Sequence, residues 1–167
     1  MTLGSDALDW LENQATRNIE FHEDCRENLE NAARSTLSIA LVASGALIGY
    51  FLNTYDTANS ASDHSWTILG PVVATAIYLS ALAVFTATVV LRPRDTPAPA
   101  NEPQNLLPYF EKYSVEQTRH AELMGVQRRI DKSNERNTIT AKRLTCVRIL
   151  LCLAPIVFVA MFAVFAG

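Results

Sequence analysis

The chain has 167 residues, a formal net charge of −3 and a mean hydropathy of +0.10, a value that averages two very different kinds of segment. Three long runs carry almost no charge, whereas a soluble domain spreads its apolar residues at helical or strand spacing. We therefore expect an all-α membrane protein. Cys25, Cys146 and Cys152 have no paired spacing, so we expect no disulfide framework, no metal site and no cofactor.

The first segment, residues 1–34, is predicted to be an acidic amphipathic helix. Ser5 is a suitable N-cap, and no Pro or Gly follows before Arg34. Eight Asp or Glu against three Arg give the segment a net charge of −5. A coiled-coil-like stripe, apolar at both ends and polar in the middle, runs along it at Leu8, Leu11, Ala15, Asn18, His22, Cys25, Leu29 and Ala32.

Residues 35–91 are predicted to form a transmembrane hairpin. Residues 35–52 are uncharged and reach about 27 Å as a helix, close to the roughly 30 Å hydrocarbon core of a bilayer. Residues 53–66 form a polar loop without Lys or Arg, and residues 67–91 form the second span. No breaker precedes Ser35, so we expect the acidic helix to continue into the first span, which is retained as a signal-anchor.

The rest of the chain is predicted as a linker, a basic helix and a third span. Residues 92–113 hold five of the seven prolines and are expected to be semi-extended, and residues 149–167 form the third span, kinked at Pro155. Residues 114–148 form an amphipathic basic helix, since residues 92–148 have eleven Lys or Arg against seven Asp or Glu. Its stripe is also polar in the middle and comprises Leu123, Val126, Ile130, Ser133, Asn137, Thr140, Leu144, Val147 and Leu151.

The distribution of basic residues predicts the orientation. All 14 Lys and Arg lie in residues 1–34 or 92–148, so the positive-inside rule places both long helices in the cytoplasm and the C-terminus outside. The expected fold has three transmembrane helices, with two long cytoplasmic helices continuous with spans one and three.

The two polar stripe centres could meet. Counting back from the membrane places Asn18 and His22 at the height of Ser133 and Asn137, so these groups are candidates for a registered seam within one protomer or between neighbours. The alternative is that the polar positions face solvent.

The first span also carries a small-residue face. Gly45 and Gly49, with Ser44 beside them, form a Gly-x-x-x-Gly pattern that favours close helix approach. This approach is either self-association or packing on another span of the same chain. In the second span, hydroxyl residues including Thr75, Thr86 and Thr88 either line a wet path or, as we favour, bond to their own helix.

Arg17 and His22 belong to the sequence R-N-I-E-F-H, whose spacing resembles the motif of HEPN ribonucleases, in which Arg and His flank the attacked phosphate. The acidic surroundings repel RNA, so we favour a structural role for His22 and expect no enzyme activity and no direct DNA binding. The sequence contains no phosphate-binding loop or Ser/His/Asp pattern.

The layout resembles small effectors of bacterial anti-phage systems, namely the SLATT effectors and the Pycsar transmembrane effectors. The residues that carry this resemblance are Arg17–His22, Ser44-Gly45, and Asn134, Asn137 and Lys142 before the third span. It implies a membrane protein that oligomerises on a cytoplasmic signal and breaches or depolarises the inner membrane. HEPN-like membrane accessories of RNA-targeting CRISPR systems share the layout.

The leading hypothesis is therefore a homo-oligomeric, pore-forming or depolarising effector that is triggered through its cytoplasmic helices. Its expected partners are the lipid bilayer, other copies of itself, and a cytoplasmic sensor protein, cyclic nucleotide or RNA-guided complex. Two alternatives stay open, a non-conducting signalling or scaffold subunit that docks a cytoplasmic partner and a phage holin.

Overall fold

The computed structural model describes residues 5–58, 66–92 and 103–166, which are helical apart from short turns and contain no strand. The all-α prediction is confirmed for these residues. The helices are α1 (Ser5–Ala58), α2 (Trp66–Phe85), α3 (Pro103–Phe110), α4 (Val115–Cys152) and α5 (Ala154–Ala166), with a π-helical turn at Thr86–Val90 after α2. The chain divides into two compact units, residues 1–28 with 93–139 and residues 29–92 with 140–167.

Helix α1 contains 54 residues and is longer than the predicted Ser5–Leu52. Its apolar part tolerates hydroxyl residues because they bond to the helix itself, as Thr36 Oγ1 does to the carbonyl of Ala32 at 2.8 Å. The external loop was predicted at residues 53–66. This prediction starts the loop too early, because α1 continues to Ala58. The Thr54 hydroxyl bonds to the carbonyl of Tyr50 at 2.8 Å, and the Phe51 and Tyr55 rings pack one turn apart. Residues 59–65 lie outside the described residues.

The threonine hydroxyls of α2 and of the π-helical turn after it also bond within the helical segment itself. Thr75, Thr86 and Thr88 donate to the carbonyls four residues earlier at 2.8, 2.7 and 2.8 Å, which confirms the favoured interpretation of these threonines. The π-helical turn that follows closes with a hydrogen bond of 3.0 Å from the Leu91 amide to the Thr86 carbonyl.

The semi-extended linker predicted at residues 92–113 needs correction, because it contains helix α3. Pro103 occupies its first position, where the fixed φ of proline suits a helix and its missing N–H costs nothing. Residues 93–102 lie outside the described part of the chain. Helix α4 then begins with a reciprocal cap, in which the Gln117 amide donates to Ser114 Oγ at 3.3 Å and the Ser114 amide donates to Gln117 Oε1 at 3.2 Å.

The predicted kink at Pro155 is confirmed, since α4 and α5 are bent by 43° at Leu153. Pro155 has no N–H to offer the preceding turn, so regular helix pairing cannot continue through this point. The carbonyl of Leu150, one residue before the Leu151 carbonyl that Pro155 leaves without its regular donor, accepts from the Leu153 amide at 3.1 Å and from the Tyr78 hydroxyl of α2 at 2.7 Å. Helices α2 and α5 are packed closely near the start of α2 and the end of α5, where a Cβ at Gly70 would lie 2.7 Å from the Phe165 ring.

Two helical stretches, Asp6–Tyr55 and Thr67–Val90, are apolar and long enough to include a membrane span. The helices Val115–Cys152 and Ala154–Phe165 qualify only as a bent pair, which gives up to three spans in the described residues. Within the unit formed by residues 29–92 and 140–167, one apolar layer joins three helical segments through Ala33, Val90, Leu144 and Val147. This layer lies at the start of the apolar runs of α1 and α4 and at the end of the apolar run that begins in α2.

We expect Tyr78→Phe to destabilise the protein by about 0.5–1.5 kcal/mol, because the carbonyl at the helix break loses a donor that water cannot replace. The measurement is thermal unfolding of the detergent-solubilised protein. Tyr109→Phe is the matched control, since Tyr109 is exposed. Equal destabilisation by both substitutions would contradict a role for the Tyr78 hydroxyl at the break.

Candidate functional site: the charged helix pair and the glycine face

The first candidate site is an ion-paired contact between α1 and α4 in the unit of residues 1–28 and 93–139. Arg119 Nε and Nη2 donate to the two carboxylate oxygens of Glu12 at 2.7 and 2.8 Å, and Nη2 also donates to Asp9. This fork geometry is the one in which arginine binds carboxylates most specifically. The hydrogen bonds that Arg119 donates to Glu12 and then to Asp9 raise the pKa of Arg119, so the guanidinium stays charged.

Apolar stripe positions lie inside the same unit. Leu8 of α1 and Val126 and Ile130 of α4 are buried, and all three belong to the predicted stripes. Thr118, next to the ion-paired arginine, is also buried, and its hydroxyl donates to the carbonyl of Ser114 at 3.1 Å. The two stripes thus mark the faces that this unit buries.

The polar stripe centres meet at one point. Asn137 Nδ2 donates to the backbone carbonyl of His22 at 2.9 Å, while the His22 ring lies edge-on to Phe21. Ser133 is half-buried and Asn18 is exposed. The structure therefore brings Asn137 to His22 as the register count predicts, but through the backbone of His22 and not its imidazole, and Asn18 takes no buried position in the unit.

Arg17 and His22 do not share a face of α1. Arg17 is exposed and His22 is half-buried, and five residues of regular helix separate their directions by about 140°. One chain therefore does not bring this pair together around a phosphate.

The second candidate site is the glycine face of α1, defined as Gly45 and Gly49, in the other unit. A Cβ at either glycine would meet no atom within 4 Å, so the described chain does not use this face for packing on its own helices. Ser44 lies on a different face, since it is buried and its hydroxyl donates to the Leu41 carbonyl at 3.1 Å. Ser44 and the two glycines, grouped together in the sequence prediction, are therefore separated by the structure.

Two arginines of α4 make contacts that the sequence did not predict. Arg143 Nη1 donates to the Val89 carbonyl at 3.4 Å, and Arg148 Nε donates to Thr36 Oγ1 at 3.3 Å. Both flank the apolar layer of Leu144 and Val147. The only signal in the sequence was their position just before an uncharged run.

A model of the Pycsar effector protein domain matches residues 20–144. The chain belongs to the Pycsar effector family. The resemblance proposed from the sequence is therefore confirmed, and the protein is a membrane effector of anti-phage defence. The match begins after Arg17 and includes both glycines and the contact between His22 and Asn137. No curated protein and no solved structure matches the chain.

We expect Asn137→Ala to destabilise this effector by about 1 kcal/mol, because the donor to the His22 carbonyl is lost. His22→Ala keeps that carbonyl and should cost less than half as much. Hydrogen exchange of the amides around His22, with thermal unfolding in detergent, measures both effects. Asn134→Ala is the control, since Asn134 is exposed on the same helix. A larger effect of His22→Ala than of Asn137→Ala would show that the imidazole forms the contact.

Proposed function

We propose that this effector assembles into homo-oligomers in the bacterial inner membrane and permeabilises or depolarises that membrane when its cytoplasmic helices receive a signal. Family membership supports a membrane effector, and the open glycine face supports assembly through α1. The segments of residues 1–34 and 114–148 act as sensing and assembly helices, and residues 35–52, 67–91 and 149–167 act as three spans.

The observation that carries the proposal is how little of α1 is covered by its own chain. The apolar window of α1 is 17% buried, against 50% for the window in Thr67–Val90. Lipid covers an apolar helix adequately, but a face with two glycines exposes backbone, and membrane helices gain van der Waals contact when such faces approach each other. A second copy of the chain supplies a matching face.

Several features support the three-span layout with a cytoplasmic N-terminus and an external C-terminus. The basic residues lie outside the predicted spans and the predicted external loop, and the bent pair of α4 and α5 has the composition of a span. The bend resembles other proline-induced kinks in membrane helices, which neighbouring donors make tolerable. Here that donor is Tyr78.

The trigger is proposed to act on the ion-paired helices α1 and α4. A sensor protein, a cyclic nucleotide or an RNA-guided complex that binds the charged side chains of either helix would compete with this ion pair for Glu12, Asp9 or Arg119. An ion pair of this kind breaks more readily than contacts in a packed core, because part of the surface of its side chains is accessible to water.

An exposed apolar surface favours a second candidate function, that of a non-conducting subunit that docks a cytoplasmic protein. The surface lies around α3, and its members are each at least 46% exposed: Leu107, Tyr109, Phe110, Tyr113 and Val115. Exposed aromatic clusters of this kind are typical of protein-binding surfaces. A stable complex with a soluble protein and no ion leak would select this function.

We expect the double substitution Gly45→Leu and Gly49→Leu to weaken assembly about tenfold or more and to reduce triggered depolarisation accordingly, while leaving the single chain folded. The open space around both glycines accepts the new side chains, and helix propensity rises on replacing glycine. A loss of about 1.4 kcal/mol per interface weakens association tenfold. The measurements are membrane potential in phage-challenged cells and cross-linking of the effector in the same cells.

Tyr50→Leu is the control for this pair, because Tyr50 is exposed but points about 140° away from Gly45 and about 100° away from Gly49. It should leave the membrane response intact. Depolarisation that survives both glycine substitutions would contradict assembly through this face.

The three-span layout predicts that alkaline phosphatase fused after Gly167 is active, because the enzyme needs the oxidising exterior. A fluorescent protein fused before Met1 should fluoresce, as expected for a cytoplasmic terminus. An inactive phosphatase together with the fluorescent N-terminus would reduce the layout to two spans.

A further inference from the structure

An apolar groove lies between α1 and α2, within the unit of residues 29–92 and 140–167. It has a volume of about 450 Å³ and is partly open. Its lining is apolar apart from Ser80, so its chemistry suits a hydrocarbon and not a charged or strongly polar ligand. The side chains that define its two walls are Leu47, Ile48 and Phe51 on α1 and Ile77, Ala81 and Val84 on α2.

The groove lies at the depth of the hydrocarbon core. Its α1 wall belongs to the uncharged run of residues 35–52, and its α2 wall belongs to the uncharged run of residues 67–91. Ile77 and Val84 are 64% and 63% exposed, so the α2 wall is accessible from outside the protein. In an inserted chain the groove therefore opens to lipid and not to water.

The dimensions of the groove decide what can fill it. Along α2 the groove extends from Val73 to Val84, which is about 17 Å of helix. Its volume spread over that length gives a mean cross-section of roughly 27 Å². A helix with its side chains is about 10–12 Å across and needs a cross-section of roughly 80 Å² or more, so a helix of a second copy does not enter. A single extended hydrocarbon chain does.

The contact between copies that we propose at the glycine face leaves the groove uncovered. The glycines and the α1 side chains of the groove point about 130° apart around the helix axis, so a copy on the glycine face approaches α1 from another side. An empty groove leaves its lining without van der Waals partners on one side. Lipid is the molecule that surrounds the open side of the groove and can supply those partners.

We propose that this groove binds one acyl chain of a membrane lipid, which completes the packing between α1 and α2. Phe51 of α1 and Ile77 of α2 contact the acyl chain from the two walls, and the small side chain of Ala81 leaves the space in which it lies. The site requires only that the protein is inserted in a membrane. It depends neither on assembly of copies nor on pore formation.

The experiment uses the full-length protein, extracted in mild detergent and washed free of loosely bound lipid. Native mass spectrometry counts the lipid molecules that remain, and we expect one for each copy of the protein. Ala81→Phe should reduce this retention about tenfold, because the ring occupies the space of the acyl chain. Ala81 is exposed, so the ring enters the groove without displacing a packed core. Ala46→Phe is the matched control, since Ala46 is exposed on α1 and does not line the groove, and it should leave retention unchanged.

Complete loss of lipid from the unaltered protein would overturn the proposal, and this result does not require any variant to fold. Equal retention by the unaltered protein and by Ala81→Phe would also overturn it. The mass of the retained molecule distinguishes a phospholipid from a free fatty acid, and either one supports an acyl-chain site. A changed number of protein copies in Ala81→Phe complexes, with lipid retention unaltered, would show that a second copy fills the groove and would contradict a lipid site.

Discussion

A bilayer offers no water to a broken helix, and the described apolar helices depend on satisfying every backbone group from within the protein. Where α4 gives way to α5, the Tyr78 hydroxyl reaches the Leu150 carbonyl. Where the π-helical turn ends, the Arg143 guanidinium reaches the Val89 carbonyl. The hydroxyls of Thr75 in α2 and of Thr86 and Thr88 in the π-helical turn bond to backbone carbonyls one turn earlier, so they place no unsatisfied donor in the hydrocarbon region.

The unit of residues 1–28 and 93–139 is held together by a different set of interactions. Besides the buried apolar stripe positions, its helices are joined by the ion pair of Arg119 with Glu12 and Asp9, which is partly accessible to water, and by the amide of Asn137 on α1. Such contacts specify which faces of two helices meet, but each contributes little to stability. That combination suits a regulated element, because a partner that binds one helix competes with a few exchangeable contacts.

Periodicity and charge predicted most of the fold, because long uncharged runs and breaker-free segments determine helices locally. The stripe positions Leu8, Val126 and Ile130 are buried as their spacing indicates. Helix α3 was missed because its prolines favoured an extended chain, although Pro103 occupies the one helical position that suits it.

The contacts between helices were harder to predict than the helices. Asn137 lies beside His22 as equal-rise counting indicates, but the same count places Glu12 opposite Gln127, about two turns from Arg119. Between these two contacts α1 advances ten residues and α4 advances eighteen, so no single register predicts both. Ser44 and Gly45 were grouped because they are adjacent, yet neighbours in a helix point about 100° apart, and only the glycine is exposed.

The central claim is that copies of this Pycsar effector assemble in the membrane through a face that one chain leaves uncovered. The open space at Gly45 and Gly49 and the low burial of α1 support it. Stepwise photobleaching of a fluorescently tagged effector in intact cells counts the copies in each complex directly. Complexes of several copies are expected to appear on phage challenge together with loss of membrane potential. Single-copy complexes in cells that have lost their membrane potential would contradict it.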